Sequence, residues 1–407
     1  MSQTLTAAII GSGPAGLMAA EQLSRLGAQR VKVTLFEKRK GLGRKLLVAG
    51  SSGLNITYDC PENEFAGFYR GSKSHFQKLF QAFGPKDWLN FIEKDLGIPT
   101  FKGTSRRYFV EGMKASILLK NWTDRLKKAG VEIVSGHELL DFDKNEAGLV
   151  RLKLSELGEK EFHTVILALG GGSWEPQEKP LRWVELLKRK GLTFTEFQSA
   201  NCGYEIDWPQ KLLEEAEGKP IKNIVLTSPK GKRSGELVIT RYGLEGTPIY
   251  FAGMTGTVYL DLKPEMTPQE LLARLNSGRE NLSPIRRVKK HLKLSEGADA
   301  FVFHMLPAEA RGDLKKLAET LKKFPVTLKQ PRPLEEAISS SGGLSFSELD
   351  ERLMVKKFPG IFAAGEMLDW DAPTGGFLIQ ASISQGAFVA ARAAELLAGY
   401  PSGGPRT

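Results

Sequence analysis

TAAIIGSGPAGLMAAEQLSRLGAQRVKVTLFE, residues 6–37, reads as strand, glycine turn, helix and strand in one short span. TAAII is an apolar run of the kind buried in a parallel sheet. GSGPAGLMAAEQLSRLG opens a helix whose apolar residues recur at three and four positions, and VKVTLF alternates as a strand. Gly11, Gly13 and Gly16 form a GxGxxG directly after a strand and at a helix start, the setting a dinucleotide fingerprint requires. Gly11 lets the chain turn, Gly13 lets backbone amides approach a pyrophosphate, and Gly16 lets helix and strand pack closely. The helix start, with Pro14 and Ala15, turns unpaired N–H groups and a positive dipole end toward an anion. Glu37, with Lys38 beside it, ends the second strand 26 positions after Gly11, where a carboxylate accepts from a ribose hydroxyl.

The rest of the chain sets that unit in a larger protein. At 407 residues with 41% apolar and 26% charged residues, it can bury a large core, and the length predicts two or three domains. Cys60 and Cys202 are the only cysteines, too few for a disulfide framework and without zinc-site spacing, which fits a reducing cytoplasm. The five histidines show no ligand spacing, so no metal site is expected. The short first apolar run lacks a secretory leader's features, and no segment reaches the roughly 20 apolar residues of a membrane span. The net charge of +10 is concentrated between Asp261 and Arg332, which hold 15 Lys or Arg against 9 Asp or Glu. Such a run is either a solvated helical face or a surface for a phosphate-rich partner.

A second helix and strand follow at KASILLKNWTDRLKKAG and VEIVSGHELLDFD, then LVRLKLS and FHTVILALGGGSW. Strands alternating with helices predict an α/β, doubly wound parallel sheet. Near Gly191 the texture changes to short strands such as KNIVLTSP and GTVYLDLKP, and then to basic helices. The α/β pattern resumes at LEEAISSSGGLSF. The expected organisation is a discontinuous Rossmann-like domain at 1–190 and 335–407 with an inserted module at 191–334, β-rich over 191–264 and helical and basic over 265–325.

The C-terminal stretch GIFAAGEMLDWDAPTGGF chooses among nucleotides. It offers a strand ending at Gly365, carboxylates at Glu366 and Asp369, and a Gly375–Gly376 turn opening the last helix at Phe377. A nicotinamide dehydrogenase has no need of this second anion-receiving turn. A flavin does, because its ring extends past the first unit and an amide-rich helix start stabilises negative charge at the ring's N1–C2 carbonyl edge. The expected cofactor is FAD in a domain of the glutathione-reductase type, with NADH or NADPH as a possible electron donor.

At this point the sequence resembles the flavoprotein family of aminoacetone oxidase, the bile-acid enzyme BaiN and the 23S ribosomal RNA dihydrouridine synthase RdsA. GSGPAGLMAA, EKRKGLGRKLLVAG, ASILLKNWTDRLKKAGVEI, VILALGG, GELVITRYGLEG and GIFAAGEMLDWDAPTGGF occur in the family's order along nearly the whole chain. The resemblance implies that the loop after the ribose-binding acid wraps the pyrophosphate and flavin edge, placing Arg44, Lys45, Gly50, Ser51, Ser52 and Asn55 beside the cofactor. Small residues there permit close backbone approach, and a basic side chain can neutralise phosphate. The chain is a divergent branch. Gly53 and Leu54 stand where relatives carry Arg-Cys, Arg241 where they commonly carry His, and Glu245 where they carry Ser. An Arg for a His exchanges a proton-transfer group for a permanent cation.

The flavin performs electron transfer itself, so the protein's part is to position substrate and tune the ring. Arg241, Tyr242 and Glu245 from the insert are the candidate catalytic groups, with Arg107 and Tyr108 from SRRYFV as further candidates near the ring. The leading expectation is an FAD-dependent oxidoreductase reducing a conjugated C=C of a small molecule held between the flavin domain and the insert. The alternatives are a reductase of uridine in ribosomal RNA gripped by the 261–332 region, with Arg286, Arg287, Lys289 and Lys290 on the phosphates, and an aminoacetone-like amine oxidase. A non-catalytic flavin-binding protein is the reading from another class, and the oligomeric state is left open.

Overall fold

The computed structural model describes residues 4–27, 30–50, 53–71, 73–174, 181–277 and 282–400. The chain divides into two compact units, Met1–Gln198 with Ser340–Thr407, and Ser199–Ser339.

The first unit is built on a five-stranded parallel sheet. Strand β1 (Leu5–Ile10) lies at its centre, flanked by β2 (Val31–Glu37) and by Thr164–Leu167, with Glu132–Ser135 and Ile361–Ala363 at the edges. Ala7, Ala8 and Ile9 are wholly buried, as expected for a strand covered on both faces. The crossover from β1 to β2 is helix α1 (Pro14–Gly27), whose first half, Ala15 to Ala20, is buried almost without interruption. The helices Ala115–Lys128 and Phe377–Ala398 belong to the same layered arrangement, a doubly wound, Rossmann-like α/β fold. VEIVSGHELLDFD, read above as one strand, splits in two. Glu132–Ser135 pairs with β2, Gly136 turns at φ +90°, and Leu139–Lys144 starts an antiparallel meander with Val150–Leu154 and Gly158–Phe162. The break falls on the polar, glycine-containing stretch Ser135–Glu138.

The C-terminal helix lies against the start of α1 with almost no space between backbones. A Cβ on Gly386 would stand 2.2 Å from the carbonyl oxygen of Ala15, and one on Gly365 would stand 3.0 Å from the Ala15 Cβ. A small antiparallel sheet pairs β3 (Asn55–Tyr58) with Arg107–Val110, and Arg107–Val110 with Thr100–Lys102. Beneath it Trp88 and Trp122 are wholly buried, and the Trp88 indole N–H donates to Ile56 O at 3.2 Å.

The second unit has an antiparallel sheet of six strands, in the order Tyr204–Glu205, Gly243–Glu245, Gly231–Thr240, Pro220–Ser228, Gly256–Asp261, Phe324–Leu328. Its helices include Pro268–Asn276, Pro284–His291, Glu296–Met305 and Leu314–Lys322. Leu226, Leu237, Ile239, Val258, Leu260, Phe301 and Phe324 form its core. Local signals start two of the helices. Thr267 and Glu270 exchange backbone bonds as a capping box, and Asp313 accepts from the N–H groups of Lys315 and Lys316. This is the inserted β plus helical module.

Gly386→Ala is expected to force the C-terminal helix off α1 and to destabilise the chain by about 1–3 kcal/mol, the usual range for overpacking. Urea-denaturation midpoints of wild type and variant check it.

Candidate functional site

The glycine turn after β1 is dictated by backbone crowding. Gly11 has φ +107°, and a Cβ there would lie 2.2 Å from Ala168 O. A Cβ on Gly16 would lie 1.8 Å from Gly11 O, while nothing comes within 4 Å of the Cβ position on Gly13. Two glycines are therefore obligatory for packing, and the third faces open space at the start of α1. Pro14 and Ala15 occupy the first positions of that helix.

Glu37 at the tip of β2 is held toward the turn. Ser12 N–H and Oγ–H donate to Glu37 Oε2 at 2.9 and 2.5 Å, and Arg39 N–H donates to Oε1 at 3.0 Å. A carboxylate offers about four acceptor positions, so these three bonds fix its orientation and leave capacity for a hydroxyl. Ser12 Oγ also accepts from Gly43 N at 3.1 Å, tying the next loop to the same point. Lys38 follows Glu37 directly.

That next loop forms the short helix α2 (Arg44–Ala49) between Gly43 and Gly50. Both glycines are enforced by the helix Ala115–Lys128. A Cβ on Gly43 would meet Leu119 Cδ1 at 2.8 Å, and one on Gly50 would meet the Ala115 Cβ at 2.3 Å. Arg44 is exposed. Lys45 is not the free phosphate-neutralising cation expected above. Its Nζ donates to Gly171 O at 3.0 Å and to Glu366 Oε2 at 3.1 Å, joining the loop to the end of the strand Ile361–Ala363. Ser51 and Ser52 lie outside the described residues.

At the C-terminal return the two predicted carboxylates diverge, Glu366 toward Lys45 and Asp369 toward Thr195, whose Oγ1 donates to Asp369 Oδ2 at 2.7 Å. Gly365, Gly375 and Gly376 have φ of +87°, +114° and +101°. A Cβ on Gly376 would lie 2.7 Å from the Thr57 backbone, and one on Gly375 would lie 3.0 Å from Arg107 Nε. Thus β3, Arg107 and the start of the C-terminal helix meet at one turn. Tyr108 is half-buried beside Arg107 and pairs with Thr57 in the strand register. Phe377 needs correction as a cofactor contact. Its ring is buried among Tyr58, Phe65 and Phe68, so only its backbone faces the turn.

Asn55 Oδ1, Thr57 Oγ1 and Gln380 Oε1 near this turn, and Gln385 Nε2 further along the helix, are buried without a hydrogen-bond partner. Gln385 Oε1 meanwhile accepts from Gly365 N at 2.6 Å. Buried polar groups left unpaired cost about 1–3 kcal/mol each, so such a group calls for a partner. Thr57, Gln380 and Gln385 escaped sequence reading, although two glutamines in the otherwise small and apolar FLIQASISQGAF were a usable signal.

In the second unit the three catalytic candidates separate. The Arg241 guanidinium is 85% exposed and faces Glu217 at 3.8 Å. Tyr242 and Glu245 do meet, the phenol donating to Glu245 Oε1, with the Arg332 guanidinium 4.3 Å over the Tyr242 ring. Burial, reinforced by the Glu245 hydrogen bond and charge, pushes the Tyr242 phenol well above its ordinary range. Burial also holds Cys60 and Cys202 up to about 11, so both are thiols near neutral pH. On the helix Pro284–His291, Arg286, Lys289 and Lys290 are exposed. Arg287 is instead committed to the carbonyls of Leu275 and Leu282 and cannot serve as expected. Among the described residues, no helix is long and apolar enough to cross a membrane, and no three His, Cys, Asp or Glu gather to hold a metal ion.

The glycine turn, the acid that ends β2 and the parallel strand order together define a nucleotide-binding α/β protein of the Rossmann class. The chain belongs to the HI0933-like family, whose description is "HI0933-like protein Rossmann domain" and whose model matches residues 5–393. It is 22% identical over 416 residues to the 3-dehydro-bile acid delta(4,6)-reductase of Clostridium scindens, covering 95% of this chain and 98% of that one. It is also 22% identical over 402 residues to the ribosomal RNA dihydrouridine synthase of Haemophilus influenzae, covering 93% and 96%. Among solved structures, 3-ketosteroid delta1-dehydrogenase from Sterolibacterium denitrificans is similar in fold, with a TM-score of 0.52, 12% identity and coverage of 96% and 100%.

The raised Tyr242 pKa means that the folded state holds this proton more tightly than the unfolded chain. Its contribution to stability is whole below the ordinary tyrosine pKa and is lost as pH climbs from there through the raised value. Glu245→Gln removes the carboxylate's share and is expected to bring phenolate absorbance in at lower pH, with Tyr242→Phe identifying the signal.

Proposed function

We propose that the chain is an FAD-dependent oxidoreductase that reduces a conjugated C=C of a small molecule. The observation carrying this reading is the turn after β1, where open space over Gly13 meets the N-terminus of α1 beside the Ser12-held Glu37. The relative named 3-dehydro-bile acid delta(4,6)-reductase supports the C=C chemistry.

Bound FAD would supply the two-electron exchange. The chain's own residues would do the rest. Open space at Gly13 admits the pyrophosphate to the α1 N-terminus, and Glu37, fixed by Ser12, accepts from the ribose. Lys45, paired with Glu366, pins the loop Gly43–Gly50 to the strand end rather than neutralising phosphate. Gly375 and Gly376, at the start of the C-terminal helix, would offer backbone amides to the ring edge. Reducing a C=C takes a hydride equivalent at one carbon and a proton at its neighbour. NADH or NADPH is the proposed donor, in a cytoplasm where both cysteines are free.

A second reading, a reductase acting on RNA, is favoured by the exposed Arg286, Lys289 and Lys290 and by the ribosomal RNA dihydrouridine synthase relative. It requires salt-sensitive RNA binding that weakens when those three charges are reversed.

The deciding experiment is anaerobic mixing of the purified yellow protein with NADPH or NADH, followed by an enone panel. Bleaching by a nucleotide and return of colour with an enone is the expected outcome. A flavin that nucleotides leave oxidised but amines bleach, with peroxide released in air, would overturn the reductase reading in favour of an oxidase. For the cofactor, Glu37→Ala is expected to weaken FAD about tenfold or more, about 1.4 kcal/mol, measured by titrating apoprotein with FAD.

A further inference from the structure

We infer that Lys45 and Glu366 set how long FAD stays bound, because their ion pair latches the loop Gly43–Gly50 across the crevice through which the cofactor leaves. The inference rests on the FAD reading above.

The loop is tied at separate points along the carboxyl edge of the parallel sheet. Gly43 N–H donates to Ser12 Oγ at 3.1 Å, and Ser12 lies just past the end of β1. Lys45 Nζ donates to Gly171 O at 3.0 Å, past the end of the strand Thr164–Leu167. The same Nζ donates to Glu366 Oε2 at 3.1 Å, past the end of the strand Ile361–Ala363. These strands are neighbours in the sheet, β1 beside Thr164–Leu167 and Thr164–Leu167 beside Ile361–Ala363. The start of the loop therefore runs across adjacent strand ends. In open α/β sheets the nucleotide binds in the crevice outside those ends, so a cofactor held at the Gly13 turn and at Glu37 leaves past this loop.

The flanks of the loop rest on the helix Ala115–Lys128, Gly43 against Leu119 and Gly50 against Ala115. Its charged tie to the strand ends is Lys45, since Arg44 is exposed. The Lys45 and Glu366 side chains are only 23% and 16% exposed, so the pair is sheltered from screening by salt. Removing one partner leaves the other charge sheltered without its counter-ion, and the loop gains by swinging out to water. Both residues act through the loop and not on the flavin, which makes them positioning residues. The readout that reports them is release of cofactor, which needs neither substrate nor turnover.

The test dilutes holoenzyme of wild type and variants into an excess of a flavin-scavenging apoprotein and follows the loss of FAD with time. K45M and E366Q are each expected to release FAD at least about tenfold faster than wild type. The double variant is expected to stay within about threefold of K45M, because the two residues share one interaction. K45R keeps the charge and the donors and is expected to stay within about threefold of wild type. Wild-type release rates in both single variants, or a double variant whose effect is the product of the two, would overturn the inference. In the wild-type chain, backbone amide exchange over Arg44–Ala49 is expected to slow when FAD binds, since the loop must open for release. Exchange there that FAD leaves unchanged would overturn the inference too, which decides the matter even if the variants do not fold. A wild-type chain that takes up no FAD would instead sink the FAD reading itself.

Discussion

The organising constraint is the near-contact of three backbones at the end of β1. A Cβ on Gly16 would lie 1.8 Å from Gly11 O, and one on Gly11 would lie 2.2 Å from Ala168 O. Any side chain at either position would push α1 away from the sheet. Because both are glycine, α1 begins directly on the strand end and its free N–H groups face the open space over Gly13. The C-terminal helix then depends on α1, since Gly386 packs against the Ala15 carbonyl and Gly365 against its methyl group. One close approach thus positions both helix N-termini.

Those N-termini do different things with their surroundings. At α1 the polar groups are already organised: Ser12 and Glu37 bind each other and hold Gly43. At the C-terminal helix they are not, and Asn55, Thr57, Gln380 and Gln385 keep buried atoms without partners. Unpaired groups of this kind are costly in a folded chain. The Lys45–Glu366 pair belongs with the first kind. Its charges are spent on holding the loop to the sheet, which makes a basic residue in a glycine-rich loop a structural tie.

The second unit shows how a basic sequence can mislead about partners. Arg287 caps two carbonyls, and Lys322 binds the carbonyls of Lys263 and Met266 together with the Asp261 carboxylate. Part of the positive charge between Asp261 and Arg332 is therefore committed to carbonyls at helix ends and turns. The exposed remainder is narrower than the count of Lys and Arg suggested.

The sequence by itself determined the Rossmann-like class and the glycine pattern, because strand, turn and helix are local and their residue requirements fall within one short span. It also placed Glu37 at a strand end and the Gly375–Gly376 turn before the last helix. Tertiary structure alone decided which charged side chains are occupied. Lys45 with Glu366, Asp369 with Thr195, Arg241 with Glu217 and Phe377 within its aromatic cluster are partnerships between segments distant in the chain or across a turn. The unpaired atoms at Thr57, Gln380 and Gln385 were hidden for the same reason. Burial of a polar group is a property of the packed whole, and no periodicity along the chain records it.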